Sequence, residues 1–272
     1  MSNVSPVNPV FEKLIQAAKP RIRKILEKNP VEPGLLEKKD AASPVVTKID
    51  QEVELALREV ISELAPEDGI LGEEFPEKIG QSGRRWILDP IDGTIALCAG
   101  KPTFTTLVGL QNSKGEFEAG WIYQPVLDDS WFYSGAGATL RNGDEQSCSR
   151  LQDLSSCILS TTTPDFFETR TQKEFWEELN QKTWLTSYGS DAYAYGLLAS
   201  GRVHAVIERG LVLHDFAALV PVLKGSGAII TDWRGQAVDS KSEGHVIAAC
   251  STEVHQQILK LLQTKIPPED IF

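Results

Sequence analysis

Trp86-Ile87-Leu88 is an apolar run that stops on a carboxylate, and the residues completing it, Asp89-Pro90-Ile91-Asp92-Gly93-Thr94, leave the backbone few paths. The run predicts a buried strand that delivers Asp89 at its end. Pro90 lacks an N–H and is expected to stop the ladder there. Asp92 stands where it can cap the next helix, and Gly93 can take the backbone angles a tight turn needs. Two carboxylates beside a helix start gather hard cations, while the N–H groups of the same turn can hold an anion such as phosphate. A lone D-x-x-D is satisfied equally by an ordinary capped turn.

Three further places repeat the pattern. Glu73 and Glu74 follow Gly72 at the end of a short extended piece, Asp215 begins a helix after Gly210-Leu211-Val212-Leu213, and Asp50 begins another. Any one of them reads as a cap. Together, at element termini where side chains converge without disturbing a core, they can hold two or three hard cations in an oxygen cage. The net charge of −11 fits a protein that concentrates carboxylates for metal. It excludes nucleic-acid and anionic-membrane binders, which need basic patches. Glu12 and Lys13 interrupt the first candidate for a signal peptide, and no stretch approaches the roughly 20 apolar residues of a membrane span. Cys98, Cys148, Cys157 and Cys250 form no C-x-x-C pair, as expected of reduced thiols in a cytoplasmic protein.

The 272 residues suffice for one large domain or two small ones. Phe11, Leu14, Ile15, Ala18, Ile22, Ile25 and Leu26 mark one helical face, which Pro20 is expected to kink or split. Val53, Leu57, Val60, Ile61 and Leu64 mark a second helix, with Asp50 in its first turn. Phe104 to Leu110, Ala119 to Gln124 and Ser130 to Ser134 predict an antiparallel meander, and Asn142-Gly143 a tight turn. Beyond it, strands and helices alternate: a helix from Asp191 to Ala199, another from Asp215 to about Lys224, and a last one capped by Thr252. The expected organisation is an α+β domain over residues 1–145 followed by an α/β domain over 146–272.

Gly72-Glu73-Glu74, Asp89-Pro90-Ile91-Asp92-Gly93-Thr94 and Asp215-Phe216-Ala217-Ala218 resemble the signature set of the inositol monophosphatase family. The resemblance runs from about Lys39 to Asp232. It implies a five-layer α-β-α-β-α sandwich, a Mg²⁺-dependent phosphomonoesterase with two or three ions per site, a small-molecule phosphate ester as substrate, and a homodimer. Carried onto this chain, Glu73, Asp89 and the Ile91 carbonyl hold the first metal, and Asp89, Asp92 and Asp215 the second. Gly93 and Thr94 offer amides to the phosphate, Asp50 and Thr94 with Glu73 activate the attacking water, and Lys39 helps complete the site.

Within that family, the stretch from Tyr188 to Gly201, Ala218-Leu219-Val220-Pro221-Val222 and Ile230-Thr231-Asp232-Trp233 resemble the histidinol-phosphate phosphatase branch. That implies L-histidinol phosphate as substrate, with inositol monophosphate as the alternative. A catalytically silent binding or regulatory member is the alternative of another class. By the same resemblance Glu208 faces the alcohol portion of the substrate. Asp191 reads either as a contact to the amine or imidazole or as a helix N-cap. The chain departs from the family pattern at His214, where an aromatic commonly precedes the metal aspartate, at Leu97 and at Gly227-Ala228. His214 reads as a packing residue or as a donor to Asp215.

Overall fold

The computed structural model describes residues 9–28, 37–38, 45–46 and 48–271. Helix α1 (Pro9–Lys28) is followed by the paired dipeptide strands β1 (Glu37–Lys38) and β2 (Val45–Val46), then by helix α2 (Lys48–Leu64). Pro20 does not split α1. The helix buries Phe11, Leu14, Ala18 and Ile22, whereas Pro20 and Gln16, whose carbonyl loses its partner, are both exposed. The freed carbonyl therefore lies on the solvent side of the helix, where the missing bond costs least.

Strands β3 (Gly69–Gly72) and β4 (Arg85–Asp92) lead into the short helix α3 (Thr94–Cys98). The meander follows: β5 (Thr105–Gln111), β6 (Phe117–Gln124), β7 (Asp129–Tyr133), β8 (Thr139–Arg141) and β9 (Asp144–Gln146). These seven strands form one sheet in chain order, parallel between β3 and β4 and antiparallel thereafter.

The chain continues through β10 (Ile158–Thr161), α4 (Arg170–Lys182), β11 (Leu185–Tyr188), α5 (Tyr193–Ala199) and β12 (Ala205–Glu208). It ends with α6 (Leu213–Ala217), α7 (Leu219–Ser226), β13 (Ile229–Asp232), β14 (Val246–Ala249) and α8 (Thr252–Lys265). The second sheet has the order β11-β10-β12-β14-β13, parallel across its first three strands and antiparallel across the rest.

Five layers result. Helices α1 and α2 cover the outer face of the seven-stranded sheet around Phe11, Val53, Leu57, Trp86 and Trp121. Helices α5, α6 and α7 fill the space between the sheets, where Leu107, Ile122 and Trp131 from one meet Val206 and Val246 from the other. Helices α4 and α8 pack together on the far side.

Several local expectations change. The helix expected from Asp215 to Lys224 is two helices that meet at Ala218. The helix expected from Asp191 starts at Tyr193, with Ala192 as its N-cap. Ser251, not Thr252, caps α8, its hydroxyl accepting from Val254 N at 3.2 Å. Among the described residues all four cysteines are free thiols, three of them buried, and no helix is long and apolar enough to cross a membrane.

Candidate active site

Strand β4 runs through Pro90 to Asp92 instead of stopping. Asp89 faces Leu107 and Asp92 faces Thr105, so β4 carries one extra residue between them. That bulge accommodates the proline, whose carbonyl accepts from Thr106 Oγ1 at 2.8 Å. It also decides where the carboxylates point. Residues three apart on a regular strand face opposite sides, and one inserted residue turns Asp92 back toward the side of Asp89.

Asp92 does not cap α3. Gly93 holds the N-cap position at φ 80°, ψ 41°, and no side chain caps the helix. The Asp92 carboxylate instead accepts from Ala192 N at 2.7 Å and Thr105 Oγ1 at 3.3 Å, tying the end of β4 to the start of α5. Asp215, in the first turn of α6, accepts from Val212 N at 2.8 Å. One oxygen each from Asp89, Asp92 and Asp215 lie within 4.8 Å of one another.

Glu73 follows β3 and Asp50 lies in the first turn of α2, both near enough to raise the Asp89 pKa further. Thr94 Oγ1 donates toward Ile91 O at 3.1 Å and Asp50 Oδ1 at 3.4 Å. The candidate metal and water-activating residues from α2, the end of β3, β4, α3 and α6 therefore gather at one place.

The electrostatics follow from crowding. Burial first, and then neighbouring charge, push the carboxyls of Asp89 and Asp92 well above the ordinary range: Asp92 and Glu73 act on Asp89, and Asp191 and Asp215 on Asp92. Burial followed by Asp215, Glu74, Asp50 and Glu54 raises Glu73 to about 7. Burial raises Asp215 as well, against the pull of the Val212 amide. Asp89 Oδ1 is buried and has no hydrogen-bond partner among the described residues. An oxygen-only donor set, one orphaned carboxylate oxygen and mutual repulsion together fit a hard divalent cation.

On the other flank, Asp191 sits at φ 43° and packs against Gly93, where a Cβ would lie 2.9 Å from its Oδ2. Asp191 is therefore not a helix cap. Burial raises its pKa, while Thr162 and Lys101 pull it back. Glu208, at the end of β12, accepts from Thr162 N at 2.7 Å and Thr162 Oγ1 at 3.1 Å, but its Oε2 is buried without a partner among the described residues. Burial pushes Glu208 up to about 8. The Tyr195 hydroxyl, also buried and unpartnered, feels Glu208, Asp92 and Asp215. His214 buries Nδ1 without a hydrogen bond among the described residues, and burial lowers its pKa. Lys39 lies outside the described residues.

Sequence reasoning missed Thr105, Thr162, Lys101, Tyr195 and Glu54. None of them stands out in the sequence; Glu54, one helical turn from Asp50, is one of several acidic residues in α2.

A model of the inositol monophosphatase family matches residues 3–266. The chain belongs to that family. Over 234 residues it is 39% identical to the chloroplastic bifunctional phosphatase IMPL2 of Arabidopsis thaliana, covering 83% of this chain and 67% of the relative. It is 30% identical over 203 residues to a histidinol-phosphatase of Chlorobaculum parvum, covering 75% of this chain and 78% of that one. The structure of an inositol monophosphatase from Zymomonas mobilis superposes with a TM-score of 0.81 at 33% identity, over 94% of this chain and 99% of that one. As an inositol monophosphatase family member, this chain is a metal-dependent phosphomonoester hydrolase of small phosphate esters.

Proposed function

We propose that the chain is a Mg²⁺-dependent histidinol-phosphatase, converting L-histidinol phosphate to L-histidinol and phosphate in histidine biosynthesis. The observation that carries this reading is the pair Asp191 and Glu208. Both are carboxyls beyond the metal cluster, both are pushed toward protonation by burial, and Glu208 keeps a buried oxygen without a partner. Beside a bound phosphate such groups disfavour an anionic alcohol portion and gain most from a cationic one, whose charge offsets the cost of ionising them. Histidinol phosphate carries an ammonium next to its phosphate ester and an imidazole beyond it. The histidinol-phosphatase of Chlorobaculum parvum supports the same direction.

In this reading Glu73, Asp89 and the Ile91 carbonyl hold one Mg²⁺, and Asp89, Asp92 and Asp215 a second. When bound, such ions lower the pKa of water and neutralise phosphate oxygens. The amides of Gly93 and Thr94 receive the phosphate. Thr94 Oγ1, held between Ile91 O and Asp50 Oδ1, orients the attacking water with Glu73. The proton that water gives up would pass through Thr94 to Asp50, and the alcohol oxygen would take up one proton as its bond to phosphorus breaks. Asp191 lies against Gly93 and so meets whatever group is attached nearest the phosphate. Assembly as a homodimer, which the family resemblance implies, and operation in the cytoplasm, which the free thiols suit, complete the proposal.

Inositol-1-monophosphatase is the second reading. Tyr195 OH and Glu208 Oε2, both unpartnered, also suit the hydroxyls of a polyol. The deciding experiment measures kcat/KM with Mg²⁺ on both phosphate esters side by side. A hundredfold preference for histidinol phosphate, about 2.7 kcal/mol of differential transition-state binding, is expected. A preference for inositol 1-phosphate would replace the first reading with the second.

A further inference from the structure

Asp50, Glu54 and Arg58 follow one another at intervals of four along α2 and form one stripe. The first points to Thr94 in the site. The second is fully buried, and its carboxylate accepts from three donors: Arg58 Nε at 2.7 Å and Phe75 N at 3.3 Å on Oε1, and Glu74 N at 2.7 Å on Oε2. Arg58 completes the arrangement by donating from Nη2 to Phe75 O at 3.0 Å and placing its guanidinium 5.9 Å from the Phe75 ring centroid.

Gly72 leaves the room this requires. A Cβ there would fall 2.1 Å from Glu54 Oε1, and its three nearest neighbours all belong to the Glu54 carboxylate. The glycine that precedes Glu73 is thus explained by a contact from another helix, not by its own backbone angles.

We infer that Glu54 and Arg58 are positioning residues that latch the Gly72–Phe75 turn to α2 and so hold Glu73 in register with Asp50 and Asp89. This rests on the reading of Glu73 as a metal ligand. A glutamine at position 54 keeps the shape but offers one acceptor where three N–H donors converge, so one donor meets an NH₂ group and the turn is released.

The test is calorimetric titration of the protein with Mn²⁺ alone, without substrate, alongside the melting temperature of each metal-free variant. Glu73→Gln is the control. Glu54→Gln is expected to weaken Mn²⁺ binding about 10- to 100-fold, the usual range for a residue that orients a ligand. Gly72→Ala, which displaces Glu54, is expected to weaken it similarly, and the double variant by no more than either alone. Unchanged affinity in Glu73→Gln overturns the metal reading of Glu73. Weakened binding in Glu73→Gln with unchanged binding in Glu54→Gln overturns the positioning role, even if the melting temperature falls. Additive losses in the double variant also overturn it. If Glu54→Gln does not fold, Arg58→Lys carries the test. It keeps the charge but cannot bridge Glu54 and Phe75 O, so weaker Mn²⁺ binding is expected and wild-type affinity overturns the inference.

Discussion

The two halves of the molecule bring carboxylates to the same place in opposite ways. The seven-stranded sheet supplies Glu73, Asp89 and Asp92 within twenty residues of chain, crowded against one another and dependent on a cation for their charge. The five-stranded half supplies Asp191 from just before α5 and Glu208 from the end of β12, with Thr162 donating to both. The first group has too few donors for its crowded charge, Asp89 Oδ1 finding none among the described residues, and suits metal. The second has donors on one side and an open oxygen on the other, and suits a ligand that differs among substrates. The proposed division of labour is that the first group carries out the reaction and the second selects what enters.

The largest expected effect tests the first half of that division. Asp92→Asn keeps an oxygen for Ala192 N but removes a charge from the triad with Asp89 and Asp215. Phosphate release from every ester should fall on the order of a thousandfold, with the fold intact by circular dichroism. Thr94→Ala should follow with a fall of about a hundredfold, again for all esters, since it removes the hydroxyl between Ile91 O and Asp50. A loss confined to one ester in either variant would break the comparison.

What could be read from the chain follows the same line. Asp89, Asp92, Gly93 and Thr94 are contiguous, so their chemistry was visible in a single stretch, although the bulge that aims them was not. Pro90 was misjudged because a local rule, that proline ends a strand, yields where an extra residue relieves the ladder. Pro20 leaves α1 unsplit because it lies on the side of the helix that faces water. Asp191 and Glu208 surfaced only through family resemblance, since nothing nearby marks them. Tyr195 and Thr162 look like ordinary packing and turn residues until β10, β12 and α5 come together. Glu54 looks like one acidic residue among several in α2 until Gly72 is seen to make room for it.

Smaller effects probe the second half. Asp191→Asn and Glu208→Gln should lower kcat/KM for histidinol phosphate about tenfold to a hundredfold and change inositol 1-phosphate far less. Equal losses on both would make these residues part of the general machinery. Glu208 also leaves a mark without metal or substrate. Its folded pKa of about 8 lies above the ordinary 4.5, so the native state binds the proton more tightly than the unfolded chain. Metal-free protein should therefore lose stability as pH rises from about 4.5 to about 8, on the order of a few kcal/mol from this group. Denaturant melts of Glu208→Gln should show a correspondingly flatter profile, and an unchanged slope would locate the proton elsewhere.

The smallest effect sets the scale for the rest. Ser251 and Asp215 both stand at helix starts and both accept a backbone N–H, Ser251 from Val254 and Asp215 from Val212. Ser251 caps α8 and bonds to Leu151 O at 2.5 Å, away from the acidic cluster. Ser251→Ala should cost about 1 kcal/mol, a few degrees in Tm, with kcat/KM unchanged. Asp215→Asn keeps an acceptor for Val212 N and relieves repulsion among buried carboxylates, so the metal-free Tm should hold or rise while activity collapses. If instead the two variants lose stability alike and Asp215→Asn keeps its activity, Asp215 is a cap of the same kind as Ser251, and the acidic cluster loses the member that joins the two halves.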